Sequence, residues 1–230
     1  MSTVIYHTDI EQGTDEWLKV RLGIVTASEV CNLITPKGKA CKGEKVQMYA
    51  CNKAAEREYG FLEDHYESFD MMRGHFQEGI AREVYNDNYE PVRECGFITN
   101  TINGVKIGAS PDGLTLEGGI EIKSRLAKFQ IKTIILDEVP AEYMNQIQFL
   151  LLITGRDWFD FVQYSNGLPL FVKRVLPDPV RQAEIMDALI KFEQIVVDMQ
   201  ATYKENTAKL IPTERVEMNF SDDVIDEIGE

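Results

Sequence analysis

The chain of 230 residues carries 24 Lys+Arg against 38 Asp+Glu, a formal charge of −14, and is 44% hydrophobic and 27% charged. That balance excludes a disordered chain, and the length allows one large domain or two small ones around a proper core. The longest apolar run, Phe149 to Thr154, is far too short for a membrane helix, so no membrane association is expected.

The first nine residues lack a basic stretch followed by an apolar one, so no signal peptide is expected and the cytoplasm is the expected compartment. Asp15 to Leu22, closed by Gly23, reads as a short helix, and a second helix starts near Thr26 to Val30 with Thr26 or Ser28 as its N-cap. Lys37 to Lys45 is a loop rich in Lys and Gly, and helices follow at about Val46 to Tyr59 and Met71 to Asn86. After Pro91 the pattern shortens. Val92 to Ile98, Val105 to Ala109 and Gly119 to Lys123 read as strands separated by Asn-Gly, Pro-Asp-Gly and Gly-Gly turns. A helix is predicted from Ala141 to Ile153, then strands at Trp158 to Tyr164 and Leu168 to Val175. Pro179 opens a long helix to about Glu205. Helices before, between and after a cluster of strands predict an α/β protein with a mixed central β-sheet flanked by helices.

Cys31, Cys41, Cys51 and Cys95 show no Cys-x-x-Cys pair, so reduced and mostly buried thiols are expected in place of a metal site. Six acids and no base lie between Glu217 and Glu230; without them −14 becomes −8. Residues 1–213 are therefore expected to form a single domain and 214–230 an acidic tail. The acidity disfavours indiscriminate nucleic-acid binding, yet a local basic groove or a metal can still hold phosphate.

The densest chemical signal is Ser110-Pro-Asp-Gly-Leu-Thr-Leu-Glu-Gly-Gly-Ile-Glu-Ile-Lys-Ser124. On a strand, Ile120 and Ile122 face one side and Glu121 and Lys123 the other. A hairpin closed by Gly118-Gly119 returns Asp112 to the side of Glu121. Two carboxylates and an ammonium in that arrangement suit phosphodiester hydrolysis. The carboxylates bind a hard cation such as Mg²⁺, and the lysine orients the attacking water or stabilises developing charge. An isolated Glu-x-Lys would be no more than a solvated edge strand, and Pro-Asp-Gly an ordinary turn.

Joined, Pro111-Asp112 and Glu121-Ile122-Lys123 resemble the PD-(D/E)xK nuclease signature. Three further segments, in the same order, resemble one branch of that superfamily, the phage lambda exonuclease and YqaJ-type viral recombinases: Trp17 to Ser28, Gly74-His-Phe-Gln-Glu78 with Ala81-Arg82, and Tyr143-Met-Asn-Gln-Ile-Gln148. The resemblance implies a PD-(D/E)xK restriction-endonuclease-like core. It also implies a Mg²⁺-dependent 5′→3′ exonuclease, with Mn²⁺ able to substitute and two ions per active site. Linear double-stranded DNA would be degraded to 5′-mononucleotides. The 3′ overhang left behind would pass to a single-strand DNA annealing protein for recombination of viral or prophage DNA in a bacterial host cell. A homo-trimer is the family's assembly. The alternatives are a structure-specific or restriction-like endonuclease of the same fold, or a non-catalytic DNA-end-binding scaffold.

Residue by residue, the resemblance implies that Asp112 and Glu121 ligate the metals, with the Ile122 carbonyl as a backbone ligand. Lys123 would activate water, Glu78 would serve a second metal, and Gln146 would orient the water or the lysine. Arg21, Ser28 and Ser110 match positions of a 5′-phosphate pocket. Plainer roles compete with several of these: Glu78 pairing with Arg82 four residues on, Arg21 as a cation at a helix C-terminus, Ser28 as a cap, and Tyr143 as aromatic packing.

Overall fold

The computed structural model describes residues 3–62 and 69–215. In chain order the elements are β1 (Thr3–His7), α1 (Asp15–Arg21), β2 (Val25–Thr26), a 3-10 helix over Ala27–Asn32, α2 (Glu44–Tyr59) and α3 (Phe69–Asn88). There follow β3 (Phe97–Ile102), β4 (Val105–Ala109), β5 (Gly113–Leu114), β6 (Gly118–Ser124), α4 (Ala127–Leu136), α5 (Ala141–Thr154), β7 (Trp158–Tyr164), β8 (Phe171–Val175) and α6 (Pro179–Thr207). The mixed α/β architecture is present, with its strands divided into two four-stranded sheets ordered β1-β3-β4-β2 and β5-β6-β7-β8.

Local sequence explains the joints. Asn103 and Gly104 both take positive φ, 51° and 82°, which folds β3 directly back into β4. Thr14 accepts from Trp17 N at the start of α1, and α5 ends on the left-handed Gly155. The 3-10 helix begins at Thr26, not Ser28: the Glu29 carboxylate accepts from Thr26 N (3.2 Å) and Thr26 Oγ1 (2.7 Å).

Four elements lie outside the sequence reading: β1, β2, β5 and α4. The strands expected from Val92 and from Leu168 start later, at Phe97 and Phe171. The expectation of mostly buried cysteines is also corrected. Only Cys95 is buried, while Cys31 and Cys51 are exposed and Cys41 is half-buried.

Helix α5 lies where the sheets meet, touching β3, β4 and β7. Its C-terminal half is buried nearly all round, with Ile147, Phe149, Leu150 and Ile153 fully buried, and its buried polar residues Asn145 and Gln148 are hydrogen-bonded. Helix α3 covers β6 and β7 through Ala81 and Tyr85, which pack on Ile120, Ile122 and Val162. Phe159 and Phe161 of β7 belong instead to the core that holds α5. Strand β6, running parallel to β7, is thus served by α3 and by α5.

Two units divide the chain, Met1–Gln200 and Ala201–Glu230. The first contains every strand and α1 to α5. The second contains the end of α6 and an exposed, irregular stretch to Arg215; the acidic run from Glu217 lies outside the described residues. No helix among the described residues is long and apolar enough to cross a membrane.

Candidate active site

The site begins with a hairpin. β5 pairs antiparallel with β6, Gly113 opposite Ile120 and Leu114 opposite Gly119, so Asp112 falls opposite Glu121. Gly118 is required where β6 starts: a Cβ there would stand 2.3 Å from the Trp158 ring on β7. Arg156 Nη1 ties down the intervening turn, donating to the carbonyls of Thr115 (2.7 Å) and Gly118 (2.9 Å).

Glu121 is 2% exposed. Its Oε1 receives Lys123 Nζ at 2.6 Å and Gln146 Nε2, from α5, at 2.5 Å. Its Oε2 is buried with no hydrogen-bond partner. Asp112 Oδ2 accepts from Ile122 N at 2.5 Å, which turns the aspartate toward the same strand. On α3, Glu78 Oε1 pairs with Arg82 Nη2 at 2.6 Å, while Arg82 Nε donates to the Asp112 carbonyl at 2.8 Å. Gln77, beside Glu78, receives Ser124 Oγ at 2.5 Å and fixes α3 against the end of β6. The structure therefore brings Asp112, Glu121, Ile122, Lys123, Gln146 and Glu78 together.

The electrostatics are those of crowded acids in a dry place. Burial pushes Asp112 up to about 7, with Glu78 adding repulsion and Lys123 opposing it. Burial also pushes Glu121 up to about 7, reinforced by Asp112 and opposed by Lys123. Glu78 is raised by burial too, with Arg82 pulling it back and Glu121 pushing it further. Burial alone would lower Lys123, but the charges of Glu121 and Asp112 outweigh it and hold the ammonium protonated.

A divalent cation fits this donor set. Glu121 Oε2 is an orphaned buried acceptor, hard carboxylate oxygens suit Mg²⁺, and added positive charge relieves the repulsion that raises both acids. Among the described residues no three His, Cys, Asp or Glu side chains converge on one point. Glu78 is occupied by Arg82.

The remaining sequence candidates are distributed differently. Arg21 lies 4.1 Å over the Trp17 ring and makes no ion pair with the described residues. Trp17 Nε1 donates to Ser110 Oγ at 2.8 Å, and Ser110 donates its own proton to the Gly96 carbonyl at 2.7 Å. Arg21, Trp17 and Ser110 thus form one connected group. Ser110 holds the tryptophan and has already committed the proton that a phosphate cradle would use. Ser28 is exposed, its hydroxyl 3.3 Å from Thr26 Oγ1. Tyr143 stacks on Phe161 with ring centroids 5.5 Å apart, and Lys123 Nζ lies 5.6 Å from its centroid. It therefore packs and also borders the lysine.

One cavity reaches the cluster at Glu78, and a second lies beside Tyr143. The first, of about 480 Å³, is lined by Glu11, Trp17, His75, Glu78, Arg82 and Glu94 among others. The second, of about 460 Å³, is lined by Arg125, Phe129, Lys132, Glu142 and Tyr143 among others.

Residues 16–157 match the YqaJ-like viral recombinase domain. The chain belongs to that family. Among solved structures, this YqaJ-like chain is similar to LHK-Exo, an alkaline exonuclease from Laribacter hongkongensis. The identity is 34% and the TM-score 0.74, covering 86% of this chain and 100% of that one. It is equally similar to LHK-Exo in complex with dAMP, at 34% identity and a TM-score of 0.73 over the same shares. A phage-related exonuclease from Haemophilus somnus 129PT shares the fold at 13% identity and a TM-score of 0.56, covering 78% of this chain and 96% of that one. No curated protein sequence matches the chain.

Several residues that shape the YqaJ-like site carry no local sequence signal. Arg82 is legible only as a helix neighbour of Glu78; its bond to the Asp112 carbonyl is a long-range contact. Arg156 lies 41 residues from Thr115. The buried Lys53, which donates to Glu29 and Glu56 at 3.1 and 3.0 Å, sits on α2 far from any motif.

Proposed function

We propose that this chain is a metal-dependent deoxyribonuclease, a 5′→3′ exonuclease that degrades linear double-stranded DNA to 5′-mononucleotides and leaves a 3′ single-stranded overhang. The observation that carries this is the Glu121 carboxylate: buried, gripped on one oxygen by Lys123 and Gln146, bare on the other, and faced by Asp112. The likeness to an alkaline exonuclease supports it, and that exonuclease also takes dAMP, a deoxynucleoside monophosphate of the kind expected here as product.

When bound, a divalent ion on Asp112, Glu121 and the Ile122 carbonyl supplies charge against the phosphorane-like transition state and acidifies the attacking water. Mg²⁺ is the proposed ion, with Mn²⁺ a substitute and Glu78 serving a second ion. Lys123, held protonated by its carboxylate neighbours in the metal-free site, is placed to donate to the water or to the developing oxyanion. Gln146 keeps Glu121 from rotating. Arg21, resting on Trp17 and in no ion pair with the described residues, is placed to grip the 5′-terminal phosphate bidentately, with Ser28 and Ser110 as its neighbours in the family pattern. Gripping one end and cutting inward accounts for direction without a nucleotide-driven motor. A homo-trimer, a single-strand annealing partner that takes the overhang, and a cytoplasmic site of action complete the proposal.

Digestion with Mg²⁺ of 5′-phosphorylated linear, 5′-hydroxyl linear and closed circular duplexes, beside an Asp112→Ala control, tests it. Mononucleotides from the phosphorylated linear DNA with the circle intact are the expected result. A cut circle points to an endonuclease, and no metal-dependent cutting points to a DNA-end-binding scaffold.

A further inference from the structure

The Arg82 guanidinium spreads its donors over three acceptors at the edge of the carboxylate cluster. Nε donates to the Asp112 main-chain oxygen at 2.8 Å, Nη2 pairs with Glu78 Oε1 at 2.6 Å, and Nη1 pairs with Glu94 Oε1 at 2.5 Å. The Arg82 and Glu78 side chains are only 16% and 26% exposed, whereas Glu94 is 73% exposed. The Arg82–Glu78 pair is therefore the sheltered one, and charge-assisted bonds of that kind are stronger than open surface pairs. Their spacing, four residues apart on α3, lets the two pair within one helix without help from β6. Meanwhile the Nε bond braces from behind the turn that carries the Asp112 carboxylate. A positive group thus already occupies the acid that a second cation would need, while the first pair of acids is left open and held in place.

We propose that Arg82 is a positioning residue acting as an internal counter-cation. It braces Asp112 for one divalent ion and withholds Glu78 from another, so that the site takes its two ions with unequal affinity. This rests on the metal-dependent reading of the site. The stronger ion uses Asp112 and Glu121, and the weaker must win Glu78 from the guanidinium. Removing the guanidinium without a replacement cation frees Glu78, whereas a lysine at the same place keeps it engaged.

The test is Mn²⁺ titration of the full chain, following free Mn²⁺ by electron paramagnetic resonance and heat by calorimetry, with no DNA present. Wild type is expected to show two separated affinities. In Arg82→Gln the weaker one should tighten roughly tenfold, the equivalent of about 1.4 kcal/mol, and the two affinities should converge. In Arg82→Lys the weaker affinity should stay within about twofold of wild type. Two equal affinities in wild type, or a parallel weakening of both in the variants, would make Arg82 a mere scaffold and overturn the proposal. A measurement on unaltered protein guards against a variant that does not fold. In ¹⁵N spectra the Arg82 Cζ–Nη rotation should be restricted without metal and released at saturating Mg²⁺. The signal read is that of Nη2, the nitrogen paired with Glu78, and an Nη2 still restricted at saturation would show Glu78 still bound and would equally overturn it. The underlying site fails separately: wild type that binds no Mn²⁺, or Asp112→Asn that binds it normally, removes the metal reading itself.

Discussion

Gln146 Nε2 lies 2.5 Å from Glu121 Oε1, the same oxygen that Lys123 Nζ approaches at 2.6 Å. A helix residue and a strand residue together decide which carboxylate oxygen is saturated, and Oε2 is left buried and bare. A carboxylate rotates easily unless both its donors are fixed. Here one is fixed by the pleat of β6 and the other by the packing of α5.

It follows that Gln146→Ala lowers kcat while leaving KM for DNA within about twofold, because misplacement of an oriented group by an ångström costs up to roughly 10²-fold. Gln146→Glu should be worse than Gln146→Ala, since it sets a second carboxylate against Glu121. Steady-state digestion of a 5′-phosphorylated duplex checks both. A KM increase that accounts for the whole loss would make Gln146 a DNA contact.

Metal-free stability should fall as pH rises from about 4 to about 7. Asp112 and Glu121 titrate near 7 in the folded chain and near 4 when unfolded. Their stabilising contribution is therefore complete at pH below the unfolded value and is lost as pH passes the folded one. Mg²⁺ should raise Tm little at pH 5 and substantially at pH 8. Asp112→Asn should be more stable than wild type at pH 8 without metal, and should respond weakly to Mg²⁺. Thermal melts at the two pH values, with Mg²⁺ or a chelator, decide the matter; a Mg²⁺ response that is flat with pH contradicts it.

The hairpin that carries Asp112 and Glu121 was legible because every step in it is local. The turn falls at Thr115 to Glu117, with the Gly118-Gly119 expected to close the hairpin lying instead at the start of β6; Asp112 and Glu121 still fall in register, and Glu121 and Lys123 share a face by the period of two. What escaped the sequence depends on distant partners. Helix α4 contains Ile131, Thr133, Ile134 and Ile135, residues that favour strands, and it is recruited to helix by tertiary contact. Its Gln130 Nε2 donates to the carbonyls of Gln163 and Pro169, at 2.9 and 2.8 Å. Strand β1 pairs with β3 more than 90 residues later, Thr3 opposite Thr101, and little in its own five residues announces that pairing. Ser110 illustrates the limit for the site. Its position was readable by likeness, but its bonds to Trp17 and Gly96 were not.

Arg21→Ala should abolish the preference for 5′-phosphorylated over 5′-hydroxyl ends. The loss on phosphorylated duplex is expected to reach about tenfold or more, the worth of charge-assisted bonds to phosphate, with rates on hydroxyl ends nearly unchanged. Trp17→Phe keeps an aromatic face under the guanidinium and loses the 2.8 Å bond to Ser110, so it should cost less. Competition between the two duplexes in one reaction measures the ratio directly. Equal loss on both would assign Arg21 to folding or to general DNA binding.

The segment that joins Arg21 to Ser28 is anchored by a charge network that no motif marks. Lys53, 2% exposed, lies 3.1 Å from Glu29 and 3.0 Å from Glu56, and Glu56 Oε2 accepts from Gly23 N at 2.8 Å. Burial pushes Glu29 up, but Lys53 and Thr26 outweigh it and hold the acid below the usual carboxylate range. Lys53→Met strips the cation from two sheltered carboxylates, and breaking such a pair from one side typically costs roughly 3–5 kcal/mol. The deficit relative to wild type should be largest at neutral pH. It should shrink as pH falls toward about 4, where the variant can protonate Glu29 while wild type begins to lose the benefit of its lowered Glu29. Denaturant titrations of both proteins at pH 4.5 and pH 7.5 measure the difference. A deficit that does not change with pH would mean that the lysine stem, and not its charge, holds the segment in place.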